Sequence, residues 1–367
     1  MPKKGYLVLD DGKIFEGTSF GSENKVYGEV VFNTGMVGYP EGFTDPSYYG
    51  QILVMTYPLI GNYGVPPDTK ETALPEYMES TNIYIRGLIV TSYIGGKTHY
   101  QATRTLSDWL KKENVPALTD IDTRSLTQII REKGVMKGII TFQESRPEAS
   151  GLFFKDINEE NLVELVSCKK PTIYGTGKFR VLLIDCGVKL NQIRLLLNLD
   201  TTVIRIPWDY DPFGKIEFDA IMISNGPGDP KMAGKTIEII KEGLKRKIPT
   251  LGVCLGNQLL ALATGANTYK LKYGHRGQNQ PVRDELTKKC YITTQNHGFA
   301  VDTNTLTGDY LPWFSNLNDS TNEGIKHKTL PIYSTQFHPE DAPGPTDTRF
   351  ILEHFIKEAT LWLQNNH

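Results

Sequence analysis

The sequence predicts an α/β chain in two parts: an amino-terminal mixed, β-rich α+β domain, then a domain whose mostly parallel sheet is flanked by helices. Three observations predict this. The 367 residues correspond to two domains at roughly 150 residues each. Short β-rich runs, punctuated by Gly and Pro, fill the chain up to about residue 140. From residue 179 onward, near-continuous apolar runs alternate with stretches of helical periodicity, the pattern of a parallel sheet with crossover helices.

In order along the chain, residues 6–10, 28–33, 51–56 and 88–91 read as strands. Leu106, Trp109 and Leu110 recur at helical spacing within 103–112. A second helix is expected over 123–133, with Asp122 or Thr123 as N-cap, running through Leu126, Ile129 and Ile130 to Gly134 as its stop. Residues 143–178 are looser, polar and turn-prone. The boundary is therefore expected there: a domain over 1–145, a linker over 146–178 and a second domain over 179–367. Beyond it come strands over 179–184, 202–206, 220–223 and 250–253, with helices over 191–199 and 234–246. In such sheets ligands sit beyond the carboxyl ends of the strands.

Composition narrows the function classes. Forty Lys and Arg face 42 Asp and Glu, a formal charge of -2, so no bulk basic field points to nucleic acid or an anionic membrane. The first residues turn acidic before an apolar signal core can form, and no run approaches the ~18 apolar residues of a membrane span. A cytoplasmic location is expected. The four cysteines, Cys168, Cys186, Cys254 and Cys290, contain no CxxC pair, which argues for free thiols over a disulfide framework or a zinc site.

Three strand ends carry chemistry. Leu251-Gly-Val-Cys254-Leu-Gly256-Asn-Gln258 is a buried strand that breaks at Cys254 and continues as a helix, the strand-turn-helix form of a nucleophile elbow. Gly252 and Gly256 occupy the places two residues either side, where the turn tolerates only small neighbours. A cysteine at a helix amino end is favoured as thiolate. A buried structural cysteine is the competing reading, and the flanking glycines count against it. The second strand end is Thr335-Gln-Phe-His338-Pro-Glu340, where a strand over 332–337 terminates at His338 and Glu340 can orient the imidazole. The third, Ser224-Asn-Gly226-Pro-Gly228-Asp-Pro230, is a stiff loop able to present backbone N–H groups to an oxyanion. No strand is followed by GxxxxGKS/T or GxGxxG.

Together these three segments resemble the signatures of class I, triad-type glutamine amidotransferases. Within that class, Gly35-Met-Val-Gly-Tyr-Pro-Glu-Gly-Phe-Thr-Asp-Pro-Ser47-Tyr, Thr56-Tyr-Pro-Leu-Ile-Gly-Asn62, Ile121-Asp-Thr-Arg-Ser-Leu-Thr127, Gly274-His-Arg-Gly-Gln-Asn-Gln-Pro-Val282 and Gln295-Asn-His-Gly-Phe-Ala300 are similar to the small, glutaminase subunits of carbamoyl-phosphate synthetases. The resemblance implies Cys254 as nucleophile, His338 as base and Glu340 as its orienting partner. It implies an oxyanion site at the Gly226 and Leu255 amides, and glutamine held by Ser47, Gly226, Gly228, Leu255, Gln258, Asn296, Gly298 and Phe299.

The same resemblance implies no cofactor in this chain, with ATP and Mg used by a large synthetase subunit that receives the ammonia. The product would be carbamoyl phosphate for pyrimidine and arginine biosynthesis. Asn257 departs from the histidine common in the family, and Arg276 and Gln280 carry no assigned role. Cys186 is expected only to pack. A thiol hydrolase of α/β-hydrolase type would share the elbow but place an acidic residue ahead of the histidine and would need no amino-terminal domain.

Overall fold

The computed structural model describes residues 3–67, 74–143, 145–149 and 152–366. The chain forms two compact units, residues 1–160 and 161–367. In the first, seven strands form a closed barrel: β1 (Lys4–Leu9), β2 (Ile14–Ser19), β3 (Val26–Asn33), β4 (Gln51–Met55), β5 (Gly87–Ile89), β6 (Ala117–Thr119) and β7 (Met136–Thr141), in the spatial order β1-β2-β6-β5-β4-β3-β7. β7 closes the ring by pairing antiparallel with both β1 and β3. β3, β4, β5 and β6 run parallel, with Val30 opposite Ile52 and Leu88 opposite Ala117. The sequence expectation of a mixed sheet holds. Its closure depends on pairings between residues more than a hundred positions apart, such as Leu7 with Ile140.

Among the described residues, α-helices α1 (Tyr39–Phe43), α2 (Leu106–Lys112) and α3 (Thr123–Lys133) accompany the barrel. Strand residues Val31, Leu53 and Leu88 share an apolar cluster with Tyr39 and Phe43 of α1 and with Leu106, Trp109 and Leu110 of α2. The period-2 alternation of the strands delivers every second side chain to this face. α2 begins where Thr105 accepts a hydrogen bond from the Asp108 amide at 3.1 Å, and α3 where Asp122 accepts one from the Ser125 amide at 2.9 Å. Leu126 and Ile130 of α3 are buried, and its last residue precedes Gly134 as expected.

The second unit is built on a ten-stranded sheet: β8 (Thr172–Tyr174), β9 (Phe179–Asp185), β10 (Thr201–Pro207), β11 (Ala220–Ile223), β12 (Thr250–Val253), β13 (Asn267–Asp284), β14 (Cys290–Asp302), β15 (Tyr310–Asn316), β16 (Asn322–His327) and β17 (Ile332–Thr335). The order is β14-β13-β15-β16-β17-β12-β11-β9-β10-β8. The central run β10-β9-β11-β12-β17 is parallel throughout. Antiparallel strands extend it on both sides.

Among the described residues, α-helices α4 (Leu162–Val166), α5 (Leu190–Leu197), α6 (Gly234–Lys245), α7 (Leu255–Ala263) and α8 (Phe350–Asn366) belong to this unit. Ile239 and Ile240 of α6, and Leu259 and Leu260 of α7, share one core with Ile184, Ile204, Ile221, Ile223 and Ile332. Tyr333, the next residue along β17, packs edge-on against Phe355 of α8 at 5.9 Å. The parallel sheet is thus covered on both faces, as its apolar strands require.

Residues 161–178, read from sequence as linker, belong to the second unit. Val163 of α4 enters its core, and β8 adds an antiparallel edge to β10, Ile173 opposite Ile204. Three-residue strands and single-turn helices carry too little periodicity to stand out in a polar stretch. Residues 150 and 151, which the sequence reading also assigns to the linker over 146–178, and residues 1, 2, 68–73, 144 and 367 lie outside the described residues.

Candidate active site

β12 ends at Val253, and α7 starts at Leu255. Between them Cys254 adopts φ 56°, ψ -102°, a backbone conformation costly for any residue with a Cβ and one that persists only where the surroundings impose it. The imposition is visible. A Cβ on Gly252 would collide with the Gly256 carbonyl, and one on Gly256 with the carbonyl of Ile223 in β11. The Cys254 amide is tied to the Thr335 carbonyl of β17 at 2.7 Å. The expected elbow is therefore present, with its sulfur at the amino end of α7 and the residue 2% exposed.

His338 lies just past β17. That strand ends at Thr335, two residues earlier than the sequence suggests, because the Gln336 amide turns to the Glu323 carbonyl and the His338 amide to the Thr294 carbonyl of β14, both within 2.9 Å. The His338 Nδ1 meets Glu340 Oε1 at 2.7 Å, and both residues are fully buried. Burial pushes the imidazole toward its neutral form, but the Glu340 carboxylate and the Cys254 sulfur outweigh it and raise its pKa to about 10. The Nε2 atom, buried without a hydrogen bond inside the protein, has that sulfur as its electrostatic neighbour.

Glu340 is fixed in turn. Burial would raise its pKa, yet Lys189 and His338 hold it down to about 2. Lys189 Nζ stands 3.3 Å from Glu340 Oε1, with the lysine 1% exposed. Gln192 of α5 donates to the same oxygen at 3.1 Å. Lys189 Nζ also donates to the Asp341 carbonyl. Lys189 and Gln192 were not singled out in the sequence; they lie about 150 positions from Glu340 in a stretch without motif character.

The structure places the remaining expected residues as follows. Gly226, after β11, abuts the start of α7: an added Cβ would collide with the Cys186 carbonyl and sit 2.9 Å from Leu255 Cδ2. The Leu255 amide belongs to the first turn of α7, where N–H groups have no partner within the helix. Gly228 takes φ 86° beside Leu162. Gln258 donates to the Phe299 carbonyl at 2.8 Å, and the Asn296 carbonyl accepts from Cys254 Sγ at 3.7 Å.

Asn296, Gly298 and Phe299 lie on β14, which pairs with β13 as a long antiparallel ribbon, Arg276 opposite Asn296. Arg276 is buried, and a Cβ on Gly298 would stand 3.3 Å from its guanidinium. Ser47 belongs to the first unit, buried in a single 3-10 turn over Pro46–Tyr48 whose amide is capped by Asp45 at 2.9 Å. Cys186 is fully buried, its thiol pushed up by burial. All four cysteines are free thiols.

A buried cysteine on an elbow, an imidazole held protonated beside it and a carboxylate behind can carry out acyl transfer through a thioester. Comparison with known proteins specifies which kind. Residues 7–140 match the carbamoyl-phosphate synthase small chain, CPSase domain, and residues 182–358 match glutamine amidotransferase class-I. A carbamoyl phosphate synthase small chain of Pyrococcus furiosus is 47% identical over 363 residues, covering 97% of each chain. The chain belongs to the carbamoyl-phosphate synthase small-chain family.

It is a glutamine-hydrolysing small chain with a class I amidotransferase unit. The multifunctional protein CAD of Squalus acanthias is 47% identical over 357 residues, 96% of this chain but 16% of that protein. The mitochondrial carbamoyl-phosphate synthase (ammonia) of Homo sapiens is 46% identical over 356 residues, 96% of this chain and 23% of that protein. Within such relatives the small chain corresponds to one segment of a much longer polypeptide.

Proposed function

We propose that Cys254, His338 and Glu340 are the triad of this small chain's glutaminase reaction. The observation that supports this reading most is the buried row Lys189, Glu340, His338, Cys254, each member adjacent to the next in space. The Cys254 thiolate attacks the glutamine carboxamide carbon. The resulting oxyanion is received by the Gly226 and Leu255 amides. His338 gives its proton to the departing nitrogen, so that ammonia leaves and a γ-glutamyl thioester remains. Neutral His338 then takes a proton from water as water attacks the thioester, which releases glutamate and restores thiolate and imidazolium. Gln258, Gly228, Asn296, Gly298 and Phe299 hold the substrate beside the sulfur.

The ammonia passes to a large synthetase chain that uses ATP and Mg to make carbamoyl phosphate for pyrimidine and arginine biosynthesis. The first unit supports the partnership: Met36 and Val37, with Leu59 and Ile94, expose between 39% and 61% of their surface. The loops that bear them are joined through Tyr63, which accepts from Gly38, and through the Ile94 amide bonded to the Ile60 carbonyl. The free thiols fit a reducing, cytoplasmic setting. Among the described residues no helix is long and apolar enough to cross a membrane.

The test is Cys254→Ser in the assembled two-chain enzyme. Glutamine-dependent synthesis should vanish while ammonia-dependent synthesis continues; equal loss with both nitrogen donors would refute the division of labour. The purified small chain should hydrolyse glutamine slowly, and adding the large chain with ATP and bicarbonate should raise glutamate release at least about tenfold. An unchanged rate would remove the coupling.

A further inference from the structure

The Thr335 to Glu340 segment contains a side chain that the triad does not use. Gln336 is fully buried, and its Nε2 donates to Cys254 Sγ at 3.7 Å, within reach for a hydrogen bond to sulfur. Its Oε1 accepts from two side chains of the first turn of α7, Asn257 Nδ2 and Gln258 Nε2, each at 3.1 Å.

The orientation of this amide follows from an anchor that cannot be reversed. A backbone carbonyl only accepts. The Phe299 carbonyl takes its hydrogen bond from Gln258 Nε2 at 2.8 Å, which fixes Gln258 with its nitrogen toward that carbonyl and toward Gln336. Gln336 must then present its oxygen to Gln258, and its nitrogen is left facing the sulfur. Asn257 completes the set, because Nδ2 must point at the Gln336 oxygen and Oδ1 accepts from Ser334 Oγ at 2.6 Å. Three carboxamides are thus locked in one direction by one peptide carbonyl.

On its other side the sulfur faces the Asn296 carbonyl at 3.7 Å. That contact suits a thiol, which can donate, and opposes a thiolate, which cannot. The ionisable partner of the sulfur is His338, with Glu340 and Lys189 behind it; His297 on β14 faces His338 and Arg276, and His275 and Glu323 lie beyond it on β13 and β16. Two side chains, His338 and Gln336, interact with the sulfur itself.

We propose that Gln336 is a catalytic hydrogen-bond donor to the Cys254 thiolate, and that Asn257 and Gln258 are positioning residues that hold its amide nitrogen toward the sulfur. This rests on Cys254 being the nucleophile. It also gives Asn257 a role, that of a donor to Gln336 Oε1, which an imidazole could fill only through a ring N–H. No bond is made or broken by Gln336. It favours the sulfur's charged form before attack, and its hold relaxes as the charge passes to the oxyanion.

The experiment is the pH profile of Cys254 alkylation by iodoacetamide in the purified full-length chain, read by peptide mass so that Cys168, Cys186 and Cys290 are counted separately. Gln336→Glu, which keeps the shape but sets a carboxylate oxygen against the sulfur, should raise the midpoint by about one pH unit or more and slow alkylation at pH 7 by about tenfold. Gln336→Met should give a smaller shift in the same direction, about threefold in rate at pH 7. Asn257→Leu should shift it less still, since Gln258 remains to hold the amide.

Melting temperatures identify a variant that fails to fold, and the remaining substitutions then decide. Wild-type alkylation profiles in the folded variants, with glutamine hydrolysis reduced, would make Gln336 a packing residue and overturn the inference. Glutaminase activity surviving in Cys254→Ser would instead overturn the reading of the site on which it rests.

Discussion

In the first unit seven strands bend round until the last pairs with the first, whereas in the second ten strands stay in one open sheet whose centre runs parallel. The closed sheet mixes strand directions and surrenders its apolar face to α1 and α2, which wedge Phe43 and Trp109 against it. The open sheet places β11, β12 and β17 side by side and in one direction, so that the residues following three distant segments, Gly226, Cys254 and His338, emerge at one edge. Closure protects a barrel from pairing with strangers; parallel alignment collects chemistry at strand ends. The buried groups of the second unit accordingly include Lys189 and His338, each in contact with Glu340.

This contrast can be broken, beginning with its strongest claim. His338→Asn should lower glutamine-dependent kcat by about a thousandfold or more while circular dichroism and melting stay near wild type. A folded variant that retains activity would mean the strand-end row is not the catalytic centre. Glu340→Gln should cost less, about 10- to 100-fold, and carry a signature in pH. The proposed reaction needs imidazolium, and Glu340 is the foremost group raising the His338 pKa against burial. Removing that charge lowers it, so the alkaline limb of kcat/KM should move to lower pH; an unmoved limb would leave Glu340 with a steric role only.

The barrel should answer differently. Trp109→Ala opens a void in the first unit's core and should cost about 3–5 kcal/mol of stability, without changing kcat of the chain that remains folded. A fall in kcat at full folding would tie the barrel to the chemistry.

The smallest effect concerns His275. Burial lowers its pKa, but hydrogen bonds to Asp319 at 2.8 Å and to Glu323 raise it to about 9. A raised histidine stabilises the fold fully below its unfolded value near 6.5 and loses that contribution as pH climbs through the folded value. Melting temperature should therefore decline from pH 6.5 to 9, and decline less in His275→Gln. Equal slopes would show that this cation adds nothing to the balance.

Much of the second unit is legible in the sequence. The strands at Ala220–Ile223 and Thr250–Val253 coincide with apolar runs that begin and end sharply, and the Gly-x-Cys-x-Gly spacing announces the elbow because backbone crowding leaves no room for a Cβ. Asn296, Gly298 and Phe299 were reachable only by resemblance: β13 and β14 are polar ribbons with bulges between Lys270 and His275 and between Gly277 and Gln280, and such irregular alternation gives a weak strand signal. Lys189, Gln192 and the direction of the Gln336 amide were not readable at all, since each depends on a partner brought near solely by the sheet's crossover connections. Closure of the first sheet was hidden for the same reason, being decided by the pairing of β7 with β1.

Lys189 has a consequence that emerges from counting charges through the proposed cycle. With Lys189 positive, Glu340 negative, His338 positive and Cys254 negative, the buried row sums to zero before attack. Acylation removes the sulfur's charge, and delivery of the proton to ammonia removes the imidazole's, so the row is again neutral with the thioester in place. Hydrolysis restores both charges together. An interior that excludes water tolerates separated charge only when it is compensated, and here each stable stage is electroneutral. Without the lysine every stage would carry one uncompensated negative charge, placed where the next event must build an oxyanion. A residue that meets neither glutamine nor sulfur would thereby set the electrical level at which the chemistry runs.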